Sequence, residues 1–149
     1  MRKLAGFLLA LALLVSLVPG QDTRDAVPAR ADLETKLRFA ATQHEIISIL
    51  LQEQQFELVM EEFNKILALQ FSGEHEKLVV QEAWIVAQQL LEKDQFAVAH
   101  EIIDATIEQV QSSENRFTLL MLKGKILKDE GKLQEALSVY QEARQLQNR

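Results

Sequence analysis

Cysteine is absent from the 149 residues. That absence excludes a disulfide framework, thiol chemistry, a thiolate metal site and lipid attachment through sulfur. Only two prolines and five glycines interrupt the chain. Long helices can therefore run without breaks, and no stretch alternates apolar and polar residues as a strand would. Basic residues are the minority, 16 against 22 acidic ones, for a formal charge of −6. This balance argues against binding a phosphate backbone, which needs clustered Lys and Arg. It argues equally against adsorption to an anionic membrane surface.

Catalytic signatures are missing too. No H-E-x-x-H, G-x-S-x-G, P-loop or dinucleotide-binding glycine pattern occurs. The three histidines, His44, His75 and His100, share no metal-binding helical spacing. His75 lies between Glu74 and Glu76, but adjacent helical residues point in different directions. The expectation is a non-enzyme with no metal and no cofactor.

One apolar run stands out. Arg2 and Lys3 precede the uncharged stretch Leu4–Val18, which Pro19 and Gly20 break. This is the layout of a secretory signal peptide. At 15 residues the run falls short of the roughly 20 that span a bilayer. Small Val18 and Gly20 suit cleavage after Gly20. Cleavage after Ala31, following Ala29-Arg30-Ala31, is a second option, and an uncleaved membrane anchor is the alternative. Removal of residues 1–20 takes away two positive charges and no acid, leaving −8 on 129 residues. An exported protein, periplasmic or secreted and of bacterial type, is expected. Residues 21–31, with Pro28, read as a polar flexible linker.

From Asp32 to the C-terminus helical periodicity prevails. The expected helices are 32–53, 56–69, 74–93, 96–111, 114–130 and 133–146. Asp94 is expected to cap the helix that begins at Phe96. Ser72-Gly73 should supply a cap and a stop, Ser112-Ser113 a cap, and Gly131 a left-handed helix end. Three segments echo one another, starting at Ala41, Gln81 and Thr118. In each, a polar turn leads to an apolar residue (Phe56, Phe96, Leu133). A small or β-branched residue follows three positions on (Val59, Ala99, Ala136), and Phe63, Ile103 or Tyr140 four further on. The offsets are 40 and 37 residues, a period characteristic of helical arrays. Gly124 and Ala136 are small where two antiparallel helices would meet.

The third segment, with Gly124, Gly131, Ala136, Tyr140 and Ala143, resembles the tetratricopeptide repeat. Leu120 replaces that family's usual Trp, and the closing proline is missing. The second segment (Ala83, Ala87, Leu90, Phe96, Ala99) is similar but carries Asp94 where glycine is usual, and the first matches only in apolar spacing. The resemblance implies an all-α domain over 32–149. It would hold about three antiparallel helix pairs in a short right-handed solenoid.

It also implies a partner-binding groove along the first helices of the pairs. Mapped onto this chain, the groove comprises His44, Ser48 and Gln52; Gln81, Trp84 and Gln88; and Thr118, Met121, Lys125 and Lys128. An aromatic anchor ringed by polar groups has the composition of a binding hot spot. Trp84 could instead be core, and Lys125 and Lys128 simply solvated. The last helix keeps Leu133, Leu137, Tyr140 and Leu146 apolar, so a homodimer through the C-terminal helix is a further expectation. The implied function is a non-catalytic protein–protein scaffold of the cell envelope. The alternatives are a periplasmic helical-bundle chaperone or carrier of small apolar ligands, and a purely structural subunit.

Overall fold

The computed structural model describes the backbone of residues 26–147 and the side chains of residues 32–147. The expected export signal lies outside the described residues, as does the start of the expected linker. Six helices follow in order: α1 (Ala26–Gln52), α2 (Phe56–Leu67), α3 (Glu76–Leu91), α4 (Phe96–Gln109), α5 (Ser113–Asp129) and α6 (Leu133–Gln147). A 3₁₀ turn, Gly73–His75, precedes α3. No strand occurs among the described residues, so the all-α class is as the periodicity predicts. None of these helices is long and apolar enough to cross a membrane.

The chain divides into two compact units between Glu45 and Ile46. In the first, the described part is one helical segment beginning at Ala26. Residues 26–31 are thus helix rather than flexible linker. The physical reason is the place of Pro28 in the first turn, where a missing N–H removes no intrahelical hydrogen bond. Pairs one turn apart brace this segment: Lys36 with Asp32 at 3.2 Å and Arg38 with Glu34 at 2.5 Å.

In the second unit three helix ends share one geometry. The Gln55 N–H donates to the Leu50 carbonyl at 2.9 Å, the Gln95 N–H to Leu90 at 2.9 Å and the Lys132 N–H to Leu127 at 2.8 Å. Each donor follows a residue in the left-handed region: Gln54 (φ 59°), Asp94 (φ 58°) and Gly131 (φ 81°). This is the six-residue return that closes a helix and redirects the chain. It recurs at the 40- and 37-residue offsets read from the sequence. Gly131 therefore behaves as expected. Asp94 does not cap α4; it occupies the helix-ending position of α3, and the N-cap, Gln95, makes no side-chain cap bond. A residue held at positive φ closes the helix before it and is turned away from the amides that open the next.

Two further ends differ in the same way. The α2 helix stops at Leu67 rather than at Ser72-Gly73, and Gln70 (φ 51°) adopts left-handed backbone before that pair is reached. The Ser72 side chain makes no cap bond. Ser112 caps α5 as predicted, its hydroxyl accepting from the Asn115 N–H at 3.4 Å.

The core lies between the paired helices. Val59, Phe63, Ala99 and Ile103 are fully buried, Ala136 is buried and Tyr140 half-buried. Helix α4 packs on α3 and α6 on α5, while α2 meets α4 and α3 meets α5. Gly124 sets the closest approach: a Cβ there would lie 2.5 Å from Tyr140 Cε1. Glu76, buried at the start of α3, ties the α4–α5 connection in place. Its carboxylate accepts from the Gln111 and Ser112 backbone N–H groups and from Asn115 Nδ2 at 3.0 Å. A buried carboxylate is held this way only when its oxygens are satisfied, and the opening of a helix favours negative charge.

Candidate interaction surface

Helices α3 and α5 pack on one another, and each turns one row of side chains outward. On α3 the row is Lys77, Gln81, Trp84 and Gln88; on α5 it is Glu114, Thr118, Met121, Lys125 and Lys128. Gln88 and Thr118 are half-buried and the others exposed. The steps of four, three and four residues keep each row on one face. The four residues of the α3 row correspond to the first four of the α5 row at the 37-residue offset. Trp84 and Met121 occupy equivalent places and are each 40% exposed. On the other face of α3, Ala83 and Ala87 are completely buried. Trp84 is therefore a rim residue of the helix pair and not its core.

The first helix does not continue the rows as expected. His44 and Ser48 are buried. In the second unit the open row of α1 runs through Ile49 and Gln52, so the exposed face falls one residue later than His44 and Ser48 would place it. The reason is that Ser48 shares the inward face with Ile47 and Leu51, both buried. Gln52 is exposed, and its Nε2 donates to Ser48 Oγ at 3.3 Å.

Sequence reading missed Ile49, 58% exposed, and Lys77. The repeat offset could have found Lys77, which precedes Gln81 by one turn as Glu114 precedes Thr118. Lys125 is paired with Asp129 at 2.7 Å across one exposed turn. Such a surface pair adds little stability but orients the ammonium along the row. The surface can therefore offer two apolar side chains flanked by carboxamides and a hydroxyl, with ammonium groups at its α5 end.

A separate cleft of about 360 Å³ lies between α4 and α6. Its walls carry His100, Asp104, Lys123, Lys132 and Glu135, with Leu127 and Val139 as the apolar contribution. No group of acidic and histidine side chains among the described residues could hold a metal ion.

Comparison of the chain with protein-family models, curated proteins and solved structures finds no match.

Proposed function

We propose that this chain is an exported, tetratricopeptide-like helical array that binds another protein without catalysing a reaction. The contact surface is the pair of open rows on α3 and α5. One observation carries this reading: Trp84 and Met121 stand half-open at equivalent positions of adjacent helix pairs. Large apolar side chains that pack well but remain reachable, surrounded by polar groups, are where binding energy concentrates. The recurring helix-end turn supports the array reading, because a stack of like units presents like positions along one face. The carrier of small apolar ligands is less favoured, since the cleft between α4 and α6 is walled largely by charged side chains.

Trp84 is the single tryptophan of the chain, so its fluorescence reports on the surface directly. The test is affinity capture of a partner from envelope extract, followed by titration of the purified partner. The expected outcome is a blue shift of Trp84 emission on binding. Met121→Ala should weaken binding about tenfold or more, the loss typical of a hot-spot residue. Because Met121 is exposed, its removal should leave folding stability within about 0.5 kcal/mol. A partner that binds Met121→Ala as tightly as wild type, without changing Trp84 emission, would exclude this surface.

A further inference from the structure

The two places where one helix pair meets the next are built at corresponding positions from opposite chemistry. At the first, α2 packs directly on α4. Met60 and Val98 lie against the core that contains Val86, Leu90 and Ile102. The same positions recur 40 residues on for α2 and 37 residues on for α3 and α4. Met60 becomes His100, Val86 becomes Lys123 and Val98 becomes Glu135. Leu90 and Ile102 stay apolar, as Leu127 and Val139. Where the first junction is apolar, the second holds the cleft between α4 and α6.

Ion pairs hold this second junction. His100 Nε2 and Glu130 Oε2 lie 2.5 Å apart, joining α4 to the end of α5. Lys123 reaches Asp104 at 2.7 Å, again from α5 to α4. Lys132, in the α5–α6 turn, adds a contact to Glu130 at 3.1 Å.

We propose that the second junction is an ionic latch, in which His100–Glu130 and Lys123–Asp104 hold the turn end of the α5–α6 hairpin against α4. Acid releases that end while the first junction stays closed. His100 shares the cleft with Asp104 on α4, Lys123 on α5, Lys132 at the turn and Glu135 on α6, and Glu130 meets it from the end of α5. Opening widens the cleft between Leu127 and Val139. The direction of the pH effect follows from Glu130. Burial pushes its carboxyl up, but hydrogen bonds from His100 and Lys132, with their charges, outweigh it and hold the group below its ordinary value of 4.5. A depressed carboxyl stabilises the closed form above the unfolded value, and this contribution is lost as pH falls through the folded one.

Hydrogen exchange read by mass spectrometry on the full chain tests the latch, with intrinsic exchange rates corrected for pH. The segments 90–102 and 127–139 are equivalent and serve as each other's control. From pH 7 to pH 3.5, exchange in 127–139 should rise severalfold as Glu130 loses its charge, while 90–102 stays close to its rate at pH 7. Carrying the first junction's residues into the second, as His100→Met, Lys123→Val and Glu135→Val together, should make the two segments respond alike. Glu130→Gln should loosen 127–139 already at pH 7. Equal acid responses of the two segments in the natural chain would overturn the latch. So would a Glu130→Gln protein whose exchange at pH 7 matches that of the natural chain.

Discussion

The α3–α4 and α5–α6 hairpins are the same object twice, yet they solve two problems differently. Both close the first helix with a left-handed residue, Asp94 in one and Gly131 in the other. In the second, the helices come together over Gly124 with Tyr140 opposite; Ala87 and Ile103, both fully buried, hold the corresponding positions of the first. The second places a large ring over no side chain at all, where the first has a medium side chain and a methyl group at the same two positions. The helix faces that carry Ile103 and Tyr140 differ more. Ile103 and Ile107 on α4, and Val110 just after it, are buried. On α6 the same positions are a half-buried Tyr140 and exposed Arg144 and Gln147. Leu133 and Leu137, at the start of that row, are 62% and 52% exposed, and no described helix covers them. The lesson is that local sequence builds the hairpin, while its neighbours decide which of its faces become core.

That comparison can be broken at three points. The largest effect should come from the residues facing the small position. Ile103→Ala, which empties a fully buried site, should lower stability by about 2–5 kcal/mol in urea unfolding. Tyr140→Ala, half-open, should cost about 1–3 kcal/mol. Equal losses would mean that α6 is enclosed by something other than α5.

The second effect concerns the small residues themselves. Gly124→Ala forces the Tyr140 ring to move. Overpacking of about 1–3 kcal/mol is partly offset by the helix preference of alanine, about 1 kcal/mol. A net loss of up to about 2 kcal/mol is expected in thermal melting. Ala87→Gly in the sister hairpin should cost about 0.5–1 kcal/mol through backbone freedom, with the loss of a buried methyl group adding to it. A stabilised Gly124→Ala protein would show that the ring has room to swing aside.

The smallest effect lies in the turns. A non-glycine residue at positive φ is held there against a steric cost that glycine lacks. Asp94→Gly should therefore raise stability by about 0.5 kcal/mol, and Gly131→Asp should lower it by about 1 kcal/mol. Circular dichroism melts of the two variants check the opposite signs. A loss in both would mean that the Asp94 side chain, rather than the backbone geometry, holds the first turn.

Much of the fold was legible because its signals are local. Helix periodicity, the offsets of 40 and 37 residues and the glycine at 131 need no knowledge of distant contacts. Asp94 was misread because an aspartate before a helix suits a cap, and only the backbone angle reveals that it ends the helix behind it. Residues 26–31 were misread because proline signals a break unless it falls in a first turn. For the candidate surface, spacing put Trp84 and Met121 on one row each, but spacing alone could not say whether Trp84 faces the core or the solvent. His44 and Ser48 failed because a shift of one residue turns a helical position by about 100° and carries it from the outer to the inner face.

By itself the sequence determined the helical class, the repetition of the unit and the small residues at the helix crossings, since each depends on neighbours within a turn or two. The tertiary structure alone decided that Trp84 and Met121 remain open and that α1 turns inward at Ser48. It also decided that His100 meets Glu130 from 30 positions away. Those outcomes depend on which helix packs on which face, and burial is a property of the assembled neighbours rather than of the residue that is buried.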